Sequence, residues 1–230
     1  LEKKEFHSSY LQSIRKELLN NGGASTSIRK LNRIIAFTTF RENFITALLI
    51  FGVFMWDYNC LIAFDKWKKD YGRSMRIWFQ SLGKIEALLS LATISFVKDE
   101  SCYPAIKDSK DPYLRTTNIK HPLIPESVSV GNSIQLHSKT SIITGSNMSG
   151  KTTFLRTLGV NLILFNAGGL VCANNFEASG MSIFTSMRIQ DDVTQGISTF
   201  YAELIRIKSM VEYSKEKKPM LVLIDEIFRG

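Results

Sequence analysis

The run SIITGSNMSGKTTFLRT, Ser141 to Thr157, constrains this chain more than any other stretch. Its apolar part, Ser141 to Thr144, reads as a strand, Gly145 to Gly150 as a loop, and Lys151 to Phe165 as a helix. A Gly-x-x-x-x-Gly-Lys-Thr loop in that context is a phosphate cradle. Glycines let the backbone curl so that successive amides face β- and γ-phosphates, and the helix N-terminus adds its partial positive charge. Gly145, Ser146, Asn147, Met148, Ser149, Gly150, Lys151, Thr152 and Thr153 are therefore the candidate nucleotide-binding residues. Lys151 would neutralise phosphate oxygens and the Thr152 hydroxyl would complete a Mg²⁺ shell. The plain alternative is a glycine-rich turn opening an ordinary helix, which the strand before the loop disfavours.

A nucleoside triphosphatase also needs a carboxylate for the metal and a group that orients water. MLVLIDEI supplies both: Met220 to Ile224 reads as a buried strand with Asp225 and Glu226 at its end. Asp225 is the expected metal ligand and Glu226 the expected general base. Two acids after a strand also occur as surface residues or a helix cap, but here they follow a phosphate loop. Between the two motifs, a helix is expected from about Thr199, with Phe200, Leu204, Ile207 and Val211 on one face. Ser198 and Thr199 at its start serve as an ordinary N-cap or, with Gly196, as a second anion-binding corner that would meet a nucleotide on another subunit.

Upstream, the pattern changes. Glu2 to Leu19 predicts an amphipathic helix with Leu11, Ile14 and Leu18 inward, stopped by Asn20-Asn21-Gly22-Gly23. A second helix is expected from Ser25 or Thr26, carrying Ile28, Leu31, Ile34 and Ile35 on one face. The apolar run Phe44 to Phe64 approaches the length of a membrane span, but Asp57 and Asn59 would lie in hydrocarbon, so a helix buried in an all-α domain is the favoured reading. Asp65 to Phe79 interleaves bases with aromatics, as on a nucleic-acid surface or, more commonly, on a solvated helix whose aromatics face the core. Ser81 to Val97 reads as a further apolar-rich helix. Lys98 to Pro125 contains four of the chain's five prolines and reads as linker and turns.

These readings divide the chain into a helical domain (1–100), a linker (101–125) and an α/β domain (126–230). Strands at Ser133 to Leu136, Ser141 to Thr144, Leu170 to Ala173, Ser182 to Arg188 and Met220 to Ile224, separated by helices, imply a largely parallel sheet. A net charge of +8 favours an anionic partner such as nucleic acid, nucleotide or a membrane surface. Cys60, Cys102 and Cys172 lack metal-ligand spacing and suit the reduced thiols of a cytoplasmic protein, with membrane association a lesser alternative. His7, His121 and His137 form no metal-type pair. The start at Leu1 suggests an excised fragment.

Thr144-Gly145-Ser146-Asn147-Met148-Ser149-Gly150-Lys151-Thr152-Thr153 resembles the phosphate loop of the MutS DNA mismatch-repair family, T-G-P-N-M-x-G-K-[ST]-T, with Ser146 in the proline position. His121-Pro122-Leu123 looks like that family's His-Pro-[LV] element. Asp191-Asp192 with Gly196, Ser198, Thr199, Phe200 and Glu203 resembles its signature segment, and Asp225 to Gly230 its D-E-I-G-R-G element with Phe228 in place of glycine. The resemblance covers 115–230 strongly; 1–100 resembles only loosely the family's helical core and lever region. It implies an ABC-type P-loop ATPase fold binding ATP and Mg²⁺. Lys151 and Thr152 would then ligate phosphate and metal, Asp225 the metal, and Glu226 would be the base. Ser198 and Thr199 would act in trans across a homodimer or a pair with a related subunit, on DNA. Ser127 to Val130 lacks the aromatic residue expected to stack on adenine. The resemblance also implies further strands and a switch histidine after Gly230, so the chain is expected to be an incomplete ATPase. Mismatch repair is the leading expectation. Action on branched or damaged DNA, or at a membrane without mismatch recognition, is the rival.

Overall fold

The computed structural model describes residues 1–38, 55–137, 140–146, 148–187 and 199–225. The chain divides into two compact units, Leu1–Leu88 and Leu89–Gly230.

In the first unit, helix α1 (Ser9–Leu19) buries Ile14 and Leu18, as its periodicity predicts. It ends where Asn21, Gly22 and Gly23 all take positive φ, a region that Asn and Gly tolerate best. Helix α2 (Ala24–Thr38) starts one or two residues earlier than expected, and its cap comes from far away. Glu2 accepts the Ser25 amide at 2.9 Å and the Ser25 hydroxyl at 2.5 Å. The inward face is also rotated from the expected one: Ala24 and Ser27 are buried, whereas Ile28 and Ile35 are exposed. Trp67 explains the rotation, because its indole N–H donates to the Ser27 carbonyl at 2.9 Å and draws the small residues inward.

The basic-aromatic stretch and most of the apolar stretch after it form one helix, α3 (Trp56–Ala92), followed by a single turn, α4 (Ile94–Val97). Trp67, Ser74, Trp78, Ser81 and Ile85 make its buried stripe, so both tryptophans face the core while Phe79 stays exposed. Ile14, Leu18, Ala24, Trp78 and Ile85 form the core of this unit, with Leu11, Tyr71 and Met75 against it. Of the apolar run Phe44 to Phe64, residues 44–54 lie outside the described residues; the remainder opens α3. Among the described residues, no helix is long and apolar enough to cross a membrane.

The second unit corrects two expectations. The proline-rich stretch 101–125 is not only linker: it contributes β1 (Ala105–Ile106) and β2 (Tyr113–Ile119) to a four-stranded sheet with β3 (Asn132–His137) and β4 (Asn175–Ala178). The order is β1-β4-β2-β3, which places β2 inside the sheet. Its alternation of Leu114 and Thr116 inward against Arg115 and Thr117 outward is a strand signal that the neighbouring prolines mask, and an irregularity between Thr116 and Ile119 lets Ile119 also turn inward. The sheet is also mostly antiparallel, because β2 pairs antiparallel with both β3 and β4 and only β1 runs parallel to β4. The 12-residue connection from Ile119 to Asn132 carries no crossover helix, and a parallel pair would need one. Among the described residues, β5 (Ser182–Ser186) and β6 (Met220–Ile224) alone form an expected parallel pair, in a separate two-stranded sheet.

Helix α5 (Lys151–Asn166) packs Leu158, Leu162 and Phe165 onto Leu114, Ile119, Phe176 and Ala178 in the main core. Leu170 to Ala173 is buried but forms only an isolated bridge, Val171 with Cys102; the strand comes later, at β4. Ser141 to Thr144 forms no strand either. It has no ladder partner among the described residues, and Ile142 is 84% exposed. An apolar run becomes a strand only when another strand satisfies its backbone groups. Helix α6 (Thr199–Ser214) begins at the expected residue, yet it turns Glu203 and Met210 inward and leaves Leu204 and Val211 exposed. Tyr213 sets that rotation: its ring meets Phe184 at 4.9 Å and its hydroxyl lies 2.6 Å from the Ser182 hydroxyl.

Candidate nucleotide site

The site grows from the N-terminus of α5. Gly150 precedes the helix with φ +90°, a left-handed conformation that favours glycine, and Met148 also turns left-handed at +64°, wholly exposed. Among the described residues no side chain caps α5, so the amides of its first turn have no side-chain acceptor there. Lys151 curls back over the loop, donating to the carbonyls of Gly145 at 2.7 Å and Ser146 at 2.8 Å. Its charge thus lies against the loop backbone at Gly145 and Ser146.

One residue on, the Thr152 hydroxyl donates to Asp225 Oδ2 at 2.5 Å, across 73 positions of sequence. Packing brings them together. Gly159 lets α5 approach β6 so closely that an added Cβ would lie 3.1 Å from a Leu223 methyl. β6 runs parallel to β5, and the Asp225 amide donates to the Ser186 carbonyl at 2.9 Å, fixing the residue just after the strand. A hydroxyl and a carboxylate side by side form a hard-oxygen set suited to Mg²⁺, and the uncapped helix start with its lysine suits phosphate. The described residues therefore fit both groups that the sequence implies. No cluster of three or more His, Cys, Asp or Glu that could hold a metal occurs among the described residues.

Of the residues expected to act, the structure brings together Lys151, Thr152 and Asp225 with the loop residues Gly145, Ser146, Met148, Ser149 and Gly150. Thr153 lies on the exposed side of α5, its carbonyl accepting the Thr157 hydroxyl at 2.7 Å. Asn147, Ser198 and Glu226 lie outside the described residues. Thr199 is the first residue of α6.

Residues 141–230 match the family model for MutS domain V. The chain is 31% identical over 163 residues to the DNA mismatch repair protein MutS of Chloroflexus aurantiacus, covering 68% of this chain and 16% of that protein. It is 34% identical over 183 residues to MutS of a Synechococcus strain, covering 76% and 20%. It is 31% identical over 185 residues to DNA mismatch repair protein Msh6 of Gallus gallus, covering 73% and 13%. The chain belongs to the MutS family. It spans about a fifth or less of the length of these curated relatives. Domain V is the ATPase domain of MutS proteins.

Within the segment matched to MutS domain V lies a residue that reading the sequence missed. Asn161, fully buried on α5, donates to the carbonyls of Lys120 at 3.0 Å and Thr157 at 2.9 Å and accepts the Cys172 amide at 2.7 Å. It ties the helix that carries Lys151 to the segment before His121 and to the chain leading into β4. The available signal was an amide in the middle of the apolar run GVNLILF. His121 has its pKa lowered by burial and then by the charges of Arg156 on α5 and Lys98, and its Nδ1 accepts the Leu123 amide at 3.2 Å. Beside it, Lys120 pairs with Glu100 at 2.7 Å and with Glu126, while buried Lys98 donates to the Ile124 carbonyl at 2.5 Å. Polar ties thus hold the His121-Pro122-Leu123 turn at both ends.

Proposed function

We propose that this chain is the nucleotide-binding part of an ATP-hydrolysing MutS protein that acts on DNA in mismatch repair, its nucleotide cycle driving rearrangement of a dimer clamped on DNA. The fold of 126–230 is read as an ABC-type P-loop fold. The observation that carries this reading is the meeting of Thr152 with Asp225 beside an uncapped helix that starts with Lys151.

In this reading ATP lies on the loop from Gly145 to Gly150. Lys151 exchanges two carbonyl partners for phosphate oxygens, a charge-assisted bond stronger than either. Thr152 and Asp225 hold Mg²⁺, which supplies neutralisation of phosphate charge as it develops. The Thr152 hydroxyl would offer the metal a lone pair, and its O–H can still donate to Asp225. Glu226, next after Asp225, accepts a proton from the attacking water. Ser198 and Thr199 reach the nucleotide of a partner subunit, so a complete site needs two chains.

Nucleotide binding and turnover of the protein with Lys151→Ala and Glu226→Gln test this. Lys151→Ala should weaken ATP binding at least tenfold. Glu226→Gln should keep binding but lower turnover by about 10²-fold or more, the usual contribution of a positioned base. Unchanged turnover in both variants sinks the reading. Equal affinity for mismatched and matched duplex at the same salt would favour action on branched or damaged DNA instead.

A further inference from the structure

We propose that the solvent face of α3 is a docking surface for the phosphate backbone of a duplex nucleic acid. Lys66, Lys69, Arg73 and Arg76 are spaced 3, 4 and 3 residues apart, so they share one face of a regular helix, with Gln80 continuing it. All four are exposed. The buried stripe, Trp67, Ser74, Trp78, Ser81 and Ile85, lies on the far side of the same helix.

These cations are unspent. Elsewhere, Lys84 pairs with Glu17 at 3.1 Å, Lys120 with Glu100 and Glu126, Lys98 with Glu126, Lys208 with Glu212, and Lys218 with Glu216. None of the four stripe cations has an ion-pair partner among the described residues, and the acids nearest in sequence, Asp65 and Asp70, pair with none of them. A helix rise of about 1.5 Å spreads Lys66 to Arg76 over about 15 Å. One duplex strand presents a phosphate about every 3.4 Å along the axis, hence about four over that length. Four positive charges therefore meet about four negative ones.

A lipid surface is the rival occupant, because α3 also exposes apolar side chains such as Leu61, Phe64, Phe79 and Leu89. The match of cation spacing to phosphate spacing favours the duplex, and the vesicle arm of the test separates the two. The proposal rests on the reading of DNA as partner, but on none of the nucleotide chemistry.

The test is the salt dependence of binding to a short matched duplex, followed by fluorescence anisotropy of the labelled duplex. The protein is compared with its Lys66→Gln/Lys69→Gln/Arg73→Gln/Arg76→Gln variant. As an equal-charge control, Lys208, Lys215, Lys217 and Lys218 are changed to Gln together. Each phosphate contact contributes about 0.9 to the slope of log K against log salt, so the stripe variant should lose about 3.6 in slope and the control under about 1. If circular dichroism shows that the fourfold variant does not fold, Arg73→Gln/Arg76→Gln should still lose about 1.8. Lys151→Ala should leave the slope unchanged while weakening ATP binding, which separates this proposal from the nucleotide site. An unaltered slope in a folded stripe variant overturns it. So does an equal loss in the control, or stripe-dependent capture by phosphatidylserine vesicles without salt-dependent duplex binding.

Discussion

The helical unit and the α/β unit contain similar residue types but place them differently. In the helical unit a narrow seam of Ile14, Leu18, Trp78 and Ile85 is rimmed by polar ties between distant positions: Glu2 to Ser25, Glu17 to Ser81, and Asn21 to Ser74 and the Asp70 carbonyl. The α/β unit has a broader core around Leu114, Leu162, Val171 and Phe176, with the amide of Asn161 bonded in three places beside it. Its sheets also divide labour. The four-stranded sheet makes the dry core with the C-terminal half of α5, while β5 and β6 hold Asp225 against the N-terminal half. The difference shows that one helix can anchor a fold at one end and present chemistry at the other.

That contrast can be broken, beginning with the largest expected effect. Phe176→Ala removes a wholly buried ring that packs 5.7 Å from Phe165 and should cost about 3–5 kcal/mol in chemical denaturation. A cost near that of a surface change would mean that the α/β core is not where stability resides. Asn161→Leu strands the Cys172 amide and the Lys120 carbonyl and should cost about 1–3 kcal/mol. Hydrogen exchange should then quicken at Cys172 before it does in α1. If α1 loosens first, Asn161 does not hold what its bonds indicate.

The tryptophans sharpen the comparison within the helical unit. Trp67 donates to Ser27, whereas the buried Trp78 Nε1 has no partner among the described residues. Trp67→Phe should therefore be more destabilising than Trp78→Phe by about 1 kcal/mol, measured from paired thermal melts. The smallest effect is electrostatic. Burial alone would raise the Glu2 pKa, but hydrogen bonds from the Ser25 hydroxyl and the Ser25 and Ala24 amides outweigh it and leave it lowered. A carboxylate lowered on folding stabilises above its unfolded pKa, and that contribution fades as pH falls through the folded value. Acid titration should weaken the helical unit below about pH 4, and Glu2→Gln should shrink that limb at a cost below about 1 kcal/mol at neutral pH, leaving the part due to Glu17, whose pKa is lowered by hydrogen bonds from Ser81 and Lys84.

Much of the chain was legible in its sequence because the signals are local. The stop after α1 follows from Asn and Gly backbone preferences, the start of α5 from the loop pattern, and β6 from an uninterrupted apolar run ending in two acids. β2 was hidden because prolines on either side outweighed its period-two pattern. Ser141 to Thr144 had strand composition without a strand to pair with. The inward faces of α2 and α6 were misjudged because apolar periodicity gives a stripe, whereas Trp67 and Tyr213 decide which edge of that stripe turns in.

By itself the sequence determined the family, and it supplied the candidate phosphate loop and the acids that follow it, since each is a matter of residue types in fixed order. The tertiary structure alone decided that Thr152 and Asp225 would touch, that Asn161 would join three segments, and that the cations of α3 would all face solvent. Those outcomes depend on contacts between residues far apart in sequence, made only when packing brings helix and strand to within a methyl group of each other at Gly159 and Leu223.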